Sequence, residues 1–264
     1  MKLYRVGALI QRHLYLYRRS LPRMTEVFFW PFLDLLLWGF VTLYLERFQQ
    51  NLPRFVSFFL GALILWDILY RAQQGISVSF LEEVWSKNLL NLFVSPMRPS
   101  ELLAALMSIS VAKLLVAGTA SVLLAWLFYS FNLFVLGVSL IPFVLNLMVM
   151  GWAIGIVTMA AILRYGQEAE VMAWGLAFLV QPISAVFYPV SVLPKPVQSI
   201  ALLIPASHVF EGMRMVVENN HFPLEHLLKA AALNGLYLTA ALLYFYRNLR
   251  VVREKGLLMR SGTE

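Results

Sequence analysis

Four ionisable residues sit inside apolar sequence: Asp34, Asp67, Arg71 and Lys113. Placing such a group in a bilayer costs roughly 2.5–3.5 kcal/mol on insertion scales, so these side chains pair or serve a function. Asp67 and Arg71 are four residues apart, and on a helix that spacing sets them on one face as an ion pair. Asp34 and Lys113 have no partner at helical spacing. Two readings fit them: pairing across helices, or lining a polar passage. Both are electrostatic roles that make no covalent bond. Covalent and metal chemistry find little support elsewhere. His13, His208, His221 and His226 all lie outside the expected membrane core, which disfavours a paired-histidine haem. The chain holds no cysteine, no H-E-x-x-H, no G-x-S-x-G and no cluster with metal-ligand spacing. It also lacks G-x-x-x-x-G-K-[ST], so it is expected neither to bind nor to hydrolyse ATP by itself. Glu168 and Glu170 near Arg164 fit either a solvated loop or a gating contact.

The elements that must carry these residues are six apolar stretches, at 27–45, 55–79, 101–128, 134–163, 171–190 and 224–246. A helix rises about 1.5 Å per residue and needs about 20 apolar residues to cross a bilayer core. The expected fold is therefore an all-α integral membrane protein with six transmembrane helices. Composition agrees, with 60% hydrophobic and 13% charged residues and a mean hydropathy of +0.73. A single membrane domain over 1–264 is expected, with an interface helix in 1–23, a bundle over 27–246 and a tail over 247–264. No internal repeat suggests the inverted halves of many secondary transporters.

The net charge of +7 would suggest nucleic acid in a water-soluble chain. Here its distribution speaks of topology instead, and no nucleic-acid partner is expected. Fourteen Lys/Arg fall on the side of the two ends: Lys2, Arg5, Arg12, Arg18, Arg19, Arg23, Lys87, Arg98, Arg164, Arg247, Arg250, Arg253, Lys255 and Arg260. Five fall opposite: Arg47, Arg54, Lys195, Arg214 and Lys229. The positive-inside rule puts both termini in the cytoplasm. No cleavable signal peptide is expected, because Met1 to Arg23 has six basic residues and no continuous apolar core.

Outside the spans, residues 3–19 place Arg5, Arg12 and Arg19 at seven-residue spacing, on nearly one helical face. The expected arrangement is a helix lying on membrane lipid with its arginines at anionic headgroups. Within Leu81–Pro96, Leu81, Val84, Trp85, Leu89, Leu92 and Phe93 follow helical spacing, and Glu82, Glu83, Ser86 and Lys87 face elsewhere. The segment predicts a short amphipathic helix on the cytoplasmic side. Lipid and another protein's groove are both suitable partners for it. Pro96 and Pro99 end it, and Ser100 is the expected cap of the next helix. In the fourth stretch, Gly151 and Gly155 form a small-xxx-small spacing suited to close intramolecular packing. After the fifth stretch, Pro182, Pro189, Pro194, Pro196 and Pro205 interrupt the chain. Interrupted backbone at membrane depth survives only inside protein or beside a wet cavity. Short re-entrant helices at an external mouth are expected here.

Taken together, the chain resembles the membrane (permease) subunit of a type-2 ATP-binding-cassette (ABC) exporter. Two motifs carry the resemblance. One is Glu82/Glu83 followed by NLLNLFVSPMRPSELL (Asn88–Leu103). The other is PISAVFYPVSVLP (Pro182–Pro194) followed by IPASHVFEGMR (Ile204–Arg214). The resemblance implies that the helix after the second span is a coupling helix docking on a separate ATPase, with Glu82, Glu83, Trp85, Lys87 and Asn88 as its contact residues. It implies an external gate carried by Pro182, Phe187, Tyr188, Pro189, Pro194, Pro205, Glu211 and Arg214. It also implies an assembly of two permeases (two copies of this chain, or this chain and a related one) with two ATPase subunits in the bacterial inner membrane. ATP and Mg would then belong to the partner and no cofactor to this chain.

The substrate is not readable beyond an amphiphile such as a drug, a lipid or a lipid-linked polysaccharide. Trp30, Trp38, Tyr44, Trp66, Tyr70, Phe187 and Tyr188 suit sugar rings and flat drugs, and equally a membrane-interface aromatic belt. Two rivals remain: a stand-alone ion-coupled carrier or channel using Asp34, Asp67 and Lys113, and a membrane enzyme or scaffold built on Arg164, Glu168 and Glu170.

Overall fold

The computed structural model describes residues 1–48 and 53–256 and, among these, contains helices and no strand. The elements are α1 (Leu3–Arg18), α2 (Leu21–Phe48), α3 (Pro53–Trp85), α4 (Leu89–Val94), α5 (Pro99–Tyr129), α6 (Leu140–Tyr165), α7 (Glu170–Ile183), α8 (Lys195–Ala201), α9 (Pro205–Asn219) and α10 (Leu224–Glu254). Three apolar stretches are long enough to cross a membrane: Pro99–Tyr129, Leu133–Ile183 and Leu224–Glu254. The pair α8–α9, bent by 96°, makes a fourth candidate, and Phe28–Tyr44 in α2 is a shorter apolar helix. The chain is a multi-pass membrane protein.

The 51-residue stretch Leu133–Ile183 is too long for one crossing of a hydrocarbon core about 30 Å thick. It folds at Gly166, whose φ of +70° suits a residue without Cβ, and α7 returns against α6 and α3. At the centre, α6 packs on both α3 and α10. Gly151 and Gly155 allow the close approach to α3. A Cβ on Gly151 would collide with the Leu69 carbonyl and Ala72, and one on Gly155 would lie 2.8 Å from the Gln73 carbonyl oxygen. The small-residue spacing thus serves packing within the chain.

Apolar side chains gather in two clusters, one toward each end of the bundle. The first joins Val6 and Leu9 of α1, Phe80 and Leu81 of α3, Leu102 and Leu106 of α5, and Leu249 and Val252 of α10. Both described ends of the chain therefore meet in one cluster. The second joins Phe58 and Leu65 of α3, Phe143 and Leu147 of α6, and Phe210 and Met213 of α9.

Five features differ from the sequence expectations. The fifth stretch, expected over 171–190, is helical only to Ile183, and Ala185 at φ +51° turns the chain away from the helix. The segment Leu81–Phe93 is not one helix. Its first part is the end of α3, Lys87 turns the chain at φ +52°, and α4 follows. Helix α5 starts at Pro99, so its cap position is Arg98 and not Ser100, and Glu101 Oε2 accepts a hydrogen bond from the Arg98 amide at 2.9 Å. The last helix runs on to Glu254, because Asn248, Leu249 and Val252 are buried in the bundle. The proposed tail beyond Gly256, with Arg260, lies outside the described residues, as do the side chains of Arg23, Arg47 and Arg54. Finally, Arg5 and Arg12 turn from lipid toward α5 and α3, while Arg19 stays exposed.

Candidate functional site

At the end of the bundle shared by the termini, α1 is fastened to the tip of α3 by charge. Arg12 Nη1 donates to both oxygens of Glu83 at 2.7 Å. Glu83 is 2% exposed and also accepts from Asn88 Nδ2 at 2.7 Å. His13 lies between the two acids, its Nε2 3.4 Å from Glu83 and its Nδ1 3.8 Å from Glu82. The Tyr17 hydroxyl donates to Glu82 at 3.4 Å. One turn into α5, Glu101 accepts from the Lys2 amide at 2.6 Å and pairs with Arg5, whose guanidinium also donates to the Pro96 carbonyl. Glu82 and Glu83 are thus buried under α1. The outward surface at this tip consists of Trp85, Ser86, Lys87, Leu90 and Asn91, with Asn88 partly covered behind them. Trp85 Nε1 donates to Glu170 at 3.3 Å, which joins the tip to the start of α7. Arg164 reaches Asn248 at 3.3 Å.

Deeper in the bundle, α2, α3, α5 and α7, with Tyr17 of α1 and Phe187 of the loop after α7, border two adjoining, partly open cavities. The first, about 520 Å³, is lined by Tyr17, Trp30, Asp34, Arg71, Lys113 and Trp174 among others. The second, about 230 Å³, is lined by Trp38, Trp66, Asp67, Ser121, Gln181 and Phe187 among others. Asp34, Tyr70 and Phe178 line both. Arg71 Nε donates to Asp67 Oδ2 at 2.6 Å, the pair that the four-residue spacing predicts. Lys113 donates to Ser79 at 2.9 Å and lies 4.5 Å from the centre of the Tyr17 ring. The Tyr70 and Phe178 rings meet at 5.0 Å, and Gln74 donates to the Tyr70 hydroxyl at 2.6 Å. All four intramembrane ionisable residues singled out in the sequence therefore border one polar and aromatic space.

The far end of this space is closed by rings: Phe187 stacks on Phe59 at 4.8 Å and on Trp38 at 6.3 Å. The loop carrying Phe187 is held by Arg214 of α9. Its guanidinium, 8% exposed, donates to the carbonyls of Ala185, Val186 and Tyr188 and pairs with Glu211 at 3.0 Å. Glu211 in turn accepts from the Val190 amide at 2.7 Å. The Tyr188 hydroxyl donates to the Pro182 carbonyl at 2.6 Å, Pro182 falls in the last turn of α7, and Pro189 leads into the 3-10 turn Val190–Val192. Pro194 precedes α8, and Pro205 opens α9, where no amide donor is needed.

Sequence reasoning missed Arg12, His13 and Tyr17 as partners of the two acids, and missed Gln74, Trp174 and Phe178 in the cavity wall. The i, i+4 spacing of Trp30, Asp34 and Trp38, and of Tyr70 and Gln74, was the available signal. The contacts from α1 to α3 left none.

A family model described as ABC-2 type transporter matches residues 4–217, a range that takes in the tip of α3, both cavities and the Arg214 loop. Comparison with curated proteins finds no match.

Proposed function

The chain belongs to the ABC-2 type transporter family, membrane components of ABC transporters, and from that premise we propose that it is the permease subunit of an ATP-driven exporter. The family match over 4–217 carries this reading. In it, α2, α3, α5, α6, α7 and α10 are six spans, with α8 and α9 a re-entrant pair on the external side. Both termini face the cytoplasm at the bacterial inner membrane. Two permease copies, or this chain with a related one, enclose the path, and two ATPase subunits bind ATP and Mg below them.

The turn at Lys87 supplies the docking surface, with Trp85 and Lys87 foremost and Asn88 bracing them through Glu83. A projecting helical tip of this kind suits a groove on a partner. Glu82 and Glu83 act one layer behind, fixing the tip to α1. ATP binding biases the membrane dimer between closed and outward-open states only through its differential affinity for the partner's two states. The substrate, an amphiphile, passes the aromatic space between Lys113 and Phe187.

Because Trp85 and Lys87 point outward, replacing both (Trp85→Ala with Lys87→Glu) should leave the unfolding midpoint of the membrane subunit within the small range of surface changes. The same variant should lower partner ATP hydrolysis and ATP-driven transport at least tenfold. Wild-type hydrolysis in the presence of the variant would contradict the proposed docking. A second reading, an ion-gradient carrier, draws on the gathering of Asp34, Asp67 and Lys113 around one cavity. It is separated by asking whether transport stops when ATP is withheld and continues on an ion gradient.

A further inference from the structure

Helices α9 and α10 meet through two histidines. His208 of α9 is buried, and its Nε2 lies 2.9 Å from the Leu202 carbonyl oxygen. A carbonyl only accepts, so that nitrogen carries a hydrogen, and in the neutral ring Nδ1 carries the lone pair. Facing it at 3.4 Å is Nδ1 of His226, in the first turn of α10. The ring centres are 5.7 Å apart, about as far as that gap allows, so the two nitrogens meet head on. One proton, donated from His226, fits between them.

His226 is partly exposed. A first added proton on its other nitrogen leaves the contact in place, because Nδ1–H still donates. A second has only His208 Nδ1 to occupy, which sets N–H against N–H and two positive rings against each other. Like charges at this distance oppose one another, and the protons belong to the pair and not to either ring alone. The other charged groups in reach of His226 are Glu211, Glu225 and Lys229. Glu211 is closed on Arg214 at 3.0 Å and Glu225 on Lys229 at 2.6 Å, so each acid already has its counter-ion. Residues 133–163, which bring α6 and the turn before it against α9, and residues 55–66 of α3 carry no charged side chain.

We propose that His208 and His226 form a proton-operated clasp, which holds α9 on α10 near neutral pH and opens when acid adds the second proton. Its contribution to stability is present at neutral pH and lost as pH falls, because the opened state binds more protons. Helix α9 also carries Arg214, which holds the Phe187 loop, so acid acts on the helix that keeps the closing rings in place. The proposal goes beyond the exporter reading and does not depend on it.

The chain has no cysteine, so spin labels can be set at Leu203→Cys and Leu228→Cys, both exposed positions. Their separation is measured by pulsed electron paramagnetic resonance on the full chain in nanodiscs, with any subunit that co-purifies, at about pH 8 and about pH 5, the limits of histidine titration. Both lie above the ordinary glutamate value of about 4.3. With both histidines present, one distance at the higher pH should give way to a longer one as the main population at the lower. His226→Gln should keep the single shorter distance throughout, because an amide can donate to the neutral His208 ring and accept from the charged one. His208→Gln offers His226 the same choice and is the second variant should the first fail to fold. His221→Gln, outside the pair, should respond as the chain with all its histidines does. Absence of the longer distance in acid would overturn the proposal. So would its appearance in His226→Gln, or its loss in His221→Gln.

Discussion

Arg214→Met is expected to destabilise the protein by about 3–5 kcal/mol, the range for breaking a buried ion pair on one side. The guanidinium is 8% exposed and lies 4.7 Å from the centre of the Phe58 ring. Its removal leaves the carbonyls of Ala185, Val186 and Tyr188 without their donor and Glu211 without its counter-ion. Ala185 sits at φ +51°, a conformation a residue with Cβ keeps only under external restraint. Once the arginine is gone, the segment 184–190 loses that restraint, and Phe187 loses its fixed place against Phe59 and Trp38. Arg214→Lys should recover only part of the loss, because an ammonium cannot reproduce the planar fork. Adding Glu211→Gln to Arg214→Met should cost less than the two changes summed, since the unpaired charge disappears with it. The unfolding midpoint in detergent and the rate of proteolysis within 184–194 are the measurements. A midpoint equal to wild type would show that the clamp is not what holds the loop.

The second large effect is expected at Glu83. Glu83→Gln should cost about 2–3 kcal/mol, the upper part of the range for hydrogen bonds to charged groups. It falls below a fully buried pair because Arg12 is 36% exposed. Glu83 gathers Arg12, His13 and Asn88, so its neutralisation loosens α1 and the turn at Lys87 together. Hydrogen exchange should therefore rise across Leu3–Arg18 and Ser86–Asn88 while α6 stays protected. Transport driven by ATP should fall more than tenfold, through misplacement of the tip. Exchanging the charges, Arg12→Glu with Glu83→Arg, should restore part of the protection of α1. If α1 remained fully protected in Glu83→Gln, the contact with α3 would not be what anchors it.

Much of the helical architecture was legible because it rests on local pattern. Apolar length marked the long helices, proline marked the breaks around α8 and α9, and the four-residue spacing of Asp67 and Arg71 gave their ion pair outright. Charge partners far apart in sequence were not legible. Arg12 meets Glu83 across 71 residues, and nothing local to α1 separates an arginine aimed at a carboxylate from one aimed at lipid headgroups. The segment Leu81–Phe93 misled for a related reason. Its helical spacing continues through a break that the backbone makes at Lys87, where packing of α3 ends and the chain must turn toward α5. Arg214 was found within a motif, but its targets are backbone carbonyls, which any sequence possesses. The cavity was half visible: its charges stood out against apolar surroundings, while its aromatic walls looked like the belt that membrane proteins carry at their interfaces.

The most direct test of the account is purification of the full chain from its native host in mild detergent, followed by identification and assay of whatever accompanies it. An ATP-driven permease brings with it a stoichiometric subunit with a Walker sequence and ATP hydrolysis, lost when Trp85→Ala and Lys87→Glu are combined. Recovery of the chain alone, under conditions that keep a known ABC complex together, with transport driven by an ion gradient and indifferent to ATP, would contradict it.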